Sequence, residues 1–184
     1  MVKVMGIPQD VVAKINEIAE KYGFAFNADD DGIWLNAEFL YGQFFDDYVD
    51  VSVKIYRDSE GYKIRVVFGE VSVNETRKIA EDCPTVLVYP DAYYEDVIYD
   101  FEDELREMGY DVEKLSEDDV DEAIQALIEK YDKECYNKFR VTLYGAMLLS
   151  NALNDYEYGP LSEMLGEIYS VLEATGEKVD YVED

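Results

Sequence analysis

The chain has 184 residues and a mass of 21.2 kDa, room for one ordinary domain or two small lobes with a real core. It carries 43 Asp and Glu against 16 Lys and Arg, a net charge of −27, yet 48% of its residues are apolar, including 17 Tyr and 8 Phe, which excludes an acidic disordered chain. There is no histidine, so imidazole-dependent nucleophiles and zinc or iron sites built on His are excluded as well.

Residues 8–22 are predicted to form a helix, with Pro8 in its first turn, Val11, Ile15, Ile18 and Tyr22 as its apolar stripe, and Gly23 as its stop. Phe24–Phe26 and Ile33–Asn36 are expected as short strands around the turn Asp29-Asp30-Asp31-Gly32. Val49, Val51, Val53 and Ile55 alternate with polar residues, Asp58-Ser59-Glu60-Gly61 turns, and Tyr62, Ile64, Val66 and Phe68 alternate back, predicting a hairpin with one buried face. Asn74 is expected to cap a short helix through Glu81 that Pro84 ends, and Thr85–Tyr89 reads as a further strand.

After Asp91 the apolar period changes from 2 to 3.6. A helix over about 92–108 carries Tyr94, Val97, Ile98, Phe101, Leu105 and Met108 on one stripe and ends at Gly109. Ser116 followed by Glu117, Asp118 and Asp119 starts another, continued by Val120, Ile124, Leu127, Tyr131 and Cys135. Residues 139–153 are read as helical, and Pro160 opens a last amphipathic helix that stops near Gly176. The expected class is α+β, with an antiparallel sheet and one helix in 1–90 and an acidic, mainly helical region in 91–184, forming one continuous body.

Charge follows that division. Residues 1–90 hold 16 acids and 9 bases, whereas residues 91–184 hold 27 acids and 7 bases. The densest window, 91–122, has 15 carboxylates against Arg106 and Lys114 alone. Adaptation to high salt would spread acid evenly and suppress lysine, yet 11 Lys outnumber 5 Arg.

Few motifs carry chemistry. Cys83 and Cys135 form no CxxC and are expected as two separate buried thiols. Phosphate loops, GxGxxG and GxSxG are absent, and no carboxylate pair stands out for acid–base work. The first residues lack an apolar leader, and the longest apolar run, Ala146–Leu149, is far too short to span a membrane. An anionic surface repels nucleic acid and anionic lipid. The expectation is a cytoplasmic protein without cofactor or catalysis that binds neither nucleic acid nor membrane directly.

Residues 27–38 follow the spacing of an EF-hand loop, with Asn27, Asp29, Asp31, Gly32 and Glu38 at the positions for two, then a third oxygen ligand, the glycine and the final glutamate. Leu35 offers no oxygen at the ninth position, and an acidic hairpin turn accounts for the same residues, so calcium is the minor alternative.

The leading candidate is a partner-binding surface. On the predicted 92–108 helix Asp96, Asp100, Asp103 and Glu107 recur at i, i+4, i+7 and i+11, with Glu95 widening the row. Like charges so spaced cost helix stability, and solubility needs far fewer. Asp118, Asp119 and Asp121 extend the set, and Tyr93 and Tyr99 lie close enough to assist. Rows of carboxylates offer Arg and Lys the anionic acceptors that a phosphate backbone offers.

In size, acidity, aromatic content and lack of catalytic motifs the chain resembles the acidic DNA-mimic inhibitors that phages and mobile elements use against restriction and CRISPR nucleases. The stretch Ser116-Glu117-Asp118-Asp119-Val120-Asp121-Glu122-Ala123-Ile124, with Tyr136 and Phe139 further on, is similar to a helix of the Ocr-type antirestriction proteins. The resemblance implies a non-enzymatic inhibitor seated on the DNA- or guide-binding surface of a nuclease. An acidic interaction module for another basic partner, such as a histone-like or ribosomal protein, is the alternative, and a homodimer is left open.

Overall fold

The computed structural model describes residues 6–40, 48–82, 98–139 and 145–184. Two compact units divide the chain, one built from 1–78 with 148–184 and the other from 79–147.

In the first unit the carbonyl of Pro8 receives the amides of Val11 and Val12 at 3.1 and 3.0 Å and so starts α1 (Gln9–Lys21). Val11, Val12, Ile15 and Ala19 are its buried face. Gly23, at φ +76°, ends it in a Schellman motif: its own amide donates to Glu20 and that of Phe24 to Ala19. Strands β1 (Ala25–Asp29), β2 (Gly32–Leu40), β3 (Tyr48–Asp58) and β4 (Gly61–Phe68) then form an antiparallel meander. The register aligns Ala28, Ile33, Ile55 and Ile64 across the sheet, with Phe26, Leu35, Val53 and Val66 in the next row. Ile33, Leu35, Val51, Val53, Ile55 and Ile64 are fully buried. Each contributes roughly 1.5–3 kcal/mol of burial, which is why the period-2 pattern fixes this register.

β5 (Val71–Ser72) is a two-residue strand that pairs with the end of β4 and leads into α2 (Val73–Asp82). Ser72 and Glu75 cap α2 reciprocally, each backbone amide donating to the other's side chain at 3.2 Å.

The compact units do not divide at residue 90, because 148–184 returns to the unit that holds 1–78. The last residues of the chain belong with the sheet and are not wholly helical. After α6 (Pro160–Glu173), Val179–Val182 forms β6, parallel to β4. β4 has an edge that β3 leaves open, and the acids of the last residues meet bases there. Arg57 donates its Nε and Nη2 to the two carboxylate oxygens of Glu177, and its Nη1 to the Gly6 carbonyl at 2.7 Å. Lys63 donates to Asp180 at 3.1 Å, and Arg77 donates to Glu183 at 2.7 Å. Tyr156 on α5 (Gly145–Tyr158) donates its hydroxyl to the other oxygen of Glu183, also at 2.7 Å.

Those pairs set a pH dependence. Arg77 first, with help from Tyr156, holds the Glu183 carboxyl below its ordinary range, and Lys178 and Lys63 do the same to Asp180. A carboxyl whose folded pKa is depressed contributes stability above its unfolded pKa and loses it as the pH falls through the folded value. The stability of this unit is therefore expected to fall on acidification below about pH 4.5. Glu183→Gln should flatten that fall, read as Tm against pH.

The second unit contains α3 (Glu102–Glu107), a single 3-10 turn at Val112–Lys114 and α4 (Glu117–Phe139). Ile98, Leu105, Val112, Ala123, Ile124, Leu127 and Ile128 are among its buried apolar residues. The Phe101 ring tilts against Tyr131 with centroids 6.0 Å apart, and Tyr131 donates its hydroxyl to Glu104.

The expected strand at 85–89, helix residues 92–97, Cys83 and the side chain of Cys135 lie outside the described residues.

Candidate partner-binding surface on the acidic helices

Residues 79–147 contain 20 acids and 6 bases, while the larger sheet unit contains 23 and 10. In the sheet unit Glu157, Glu167, Glu177, Asp180 and Glu183 are each ion-paired. In the helical unit fewer bases are present to pair. Arg106 bridges to Glu102 and lies 3.9 Å from Asp103, Lys114 is 3.4 Å from Asp111, and Lys130 is 3.4 Å from Glu104.

Asp100, Asp103, Glu107, Asp118, Asp119 and Asp121 are all exposed, and so is Tyr99 at 63%. Glu95, Asp96 and Tyr93 lie outside the described residues. The structure changes how these groups are related. The carboxylate row was expected on one unbroken helix over 92–108, but helical residues end at Asp100 and resume at Glu102. Phe101, at φ −111° and ψ 23°, turns the chain between them while its ring packs on Tyr131. Asp103 and Glu107 share a face of α3, and Asp100 does not continue it.

Asp119 also has a local role. Its carboxylate accepts from the Ser116 hydroxyl at 2.7 Å and from the Ser116 amide at 3.2 Å, while its own amide donates to the Ser116 hydroxyl at 3.3 Å. That is a capping box, with aspartate in place of the usual Glu or Gln. The Ser116 hydroxyl, then its amide, hold the Asp119 carboxyl below the usual carboxylate range. Ser116→Ala is expected to cost about 1 kcal/mol in denaturant melts and to let the Asp119 pKa rise toward its ordinary value, as NMR titration would read. Asp118→Ala, one residue away and without a cap, should move stability far less.

What remains is a dense anionic stretch at the start of α4, wrapped around roughly 200° of the helix. Glu117, Asp118, Asp119, Asp121 and Glu122 place five carboxylates on six residues. At about 1.5 Å per residue, those five span about 7.5 Å of helix axis. Duplex DNA carries one charge per about 1.7 Å, hence roughly four in the same length. The stretch has the line charge of a nucleic acid over that length. The helix dipole makes this tolerable, because acids are favoured in a first turn. Further along, Gln125, Lys130 and Lys133 dilute it, so the dense part is short. Glu122 stands one turn after Asp118, on the same side of the helix.

The calcium alternative does not survive the geometry. Asn27 and Asp29 lie in β1 and Glu38 in β2, with Asn27 opposite Trp34 and Asp29 opposite Gly32. Glu38 is four residues beyond Trp34 along an extended strand, about 13 Å, so it cannot close on Asn27. The Asp29 carboxylate accepts the amides of Asp31 and Gly32 at 2.8 and 3.2 Å, which makes this an Asx-stabilised hairpin turn. Among the described residues no cluster of acid or thiol side chains is placed to hold a metal, and no helix is long and apolar enough to cross a membrane.

Comparison with protein-family models, with curated proteins and with solved structures finds no match to this chain.

Proposed function

We propose that this protein is a non-enzymatic inhibitor that occupies the basic nucleic-acid groove of a nuclease, a restriction enzyme or a CRISPR effector, by presenting DNA-like negative charge. What supports the reading is the exposed run Glu117, Asp118, Asp119, Asp121 and Glu122 at the start of α4, five carboxylates at nucleic-acid line charge, with Asp103 and Glu107 also exposed on α3. Arg and Lys of such a groove donate to carboxylates as they donate to phosphates, and long-range attraction speeds the encounter. Tyr99 supplies an exposed aromatic beside Asp100.

The test is competition. A restriction endonuclease and a guide-loaded CRISPR nuclease are each incubated with the protein before labelled duplex is added, at low and at moderate salt. Displacement of DNA, and inhibition that weakens steeply with salt, are expected from one of them. DNA binding unchanged in both at a large excess of the protein would reject the reading, as would inhibition indifferent to salt.

A further inference from the structure

Tyr156-Glu157-Tyr158 has no part in the acidic face, and it borders a groove of its own in the sheet unit. A depression of about 440 Å³ runs between the end of α5, the middle of α6 and β6, lined by Tyr156, Glu157, Tyr158, Ser162, Gly166 and Tyr181. We infer that this groove binds an extended peptide segment through an arginine side chain.

Three features carry the inference. The first is Tyr158, a large aromatic that is 81% exposed on the last residue of α5, directly before the Gly159-Pro160 turn. An aromatic held on a rigid turn is inexpensive in entropy to immobilise, the property of interface anchors. Across the groove Tyr181 stacks one face on Tyr169, with centroids 6.0 Å apart and planes at 5°, and remains 39% exposed.

The second is Gly166. It is exposed in mid-helix, and a Cβ built there would meet nothing within 4 Å. Alanine at such a site would stabilise the helix by roughly 1 kcal/mol, so packing within the chain gives no reason for glycine. Keeping the floor of a groove open gives one.

The third is charge. No basic side chain lines the groove. Glu157 meets Arg77 through one oxygen at 3.4 and 3.5 Å, and its other oxygen accepts no hydrogen bond from the described residues. A guanidinium fits this combination better than an ammonium, because its plane stacks on tyrosine while its fork reaches a carboxylate.

The inference stands apart from the acidic helices, and so does its test. The full chain, labelled with nitrogen-15, is titrated at about 0.15 M salt with acetyl-Gly-Arg-Gly-Arg-Gly-amide and with its lysine counterpart. Shifts are expected at Tyr158, Ser162, Gly166 and Tyr181, with the arginine peptide binding more tightly than the lysine one. Tyr158→Ala, which removes the anchor, and Gly166→Leu, which fills the floor, should each weaken binding roughly fivefold without lowering Tm. Shifts confined to residues 98–139 would overturn the inference, because the peptide would then only be condensing on the acidic face. Affinity unchanged in both variants, or equal affinity for the two peptides, would overturn it as well.

Discussion

Replacing Gly61 by alanine is expected to destabilise the sheet unit by about 3 kcal/mol and to release β6 before any other strand. Gly61 closes the β3–β4 turn opposite Asp58 at φ +130°, a conformation that L side chains rarely adopt. A Cβ there would lie 2.4 Å from the carbonyl oxygen of Lys178, a backbone atom that cannot swing aside. The same carbonyl accepts the Tyr62 amide at 2.8 Å, the bond that admits β6 to the edge of β4. Relieving the clash therefore means breaking that bond, and with it the entry of the chain into the pairing of Tyr62 with Val179. Gly23→Ala is the control. Its φ is +76° but a Cβ would meet nothing within 4 Å, so it carries strain without a clash and should cost about 1 kcal/mol. Denaturant melts read both variants, and hydrogen exchange at Asp180–Val182 reads the order of release. A Gly61→Ala protein within about 0.5 kcal/mol of the parent would refute the account of that junction.

The β3–β4 hairpin was legible because alternation over Val49–Ile55 and Tyr62–Phe68 leaves a single register that buries Val49, Val51, Val53, Ile55, Tyr62, Ile64, Val66 and Phe68. α1 was legible for a similar reason: its apolar stripe and its terminal glycine agree. β6 was not. Val179-Asp180-Tyr181-Val182 is too short to show a period, and its partner is a strand more than a hundred residues earlier. Its pairing depends on an open edge and on bases at Arg57, Lys63 and Arg77 that only the folded sheet brings into line. Counting charge by halves of the chain failed for the same reason, because acids after residue 156 are paired to bases before residue 78. At the candidate surface, residue type and exposure were readable, but a pattern of i+4 steps assumes an unbroken cylinder. Phe101 breaks it in order to reach Tyr131, a tertiary contact that overrides local periodicity. Asp119 shows the converse. Ser116 with an acid three residues on is a local signal, and it names a cap more directly than it names a contact.

If the anionic stretch at the start of α4 is what a basic groove recognises, position must matter more than total charge. The triple variant Asp118→Lys, Asp121→Lys, Glu122→Lys is expected to weaken binding to the target nuclease about a hundredfold or more, counting roughly 1 kcal/mol for each reversed contact. A second triple, Glu17→Lys, Glu20→Lys, Glu173→Lys, shifts the net charge equally but lies on exposed positions of α1 and α6. It should lose no more than about threefold, the effect of a weaker long-range field alone. The first triple also removes acids from the start of a helix, which costs about 0.3–1 kcal/mol for each residue in the first turn, so both proteins are compared by circular dichroism before affinity is measured. The slope of log affinity against log salt should become shallower for the α4 triple and stay unchanged for the other, because only the first removes charges that displace counterions from the groove. Equal losses in the two variants would mean that the partner senses bulk acidity, and a footprint at the start of α4 would then be the wrong description of this surface.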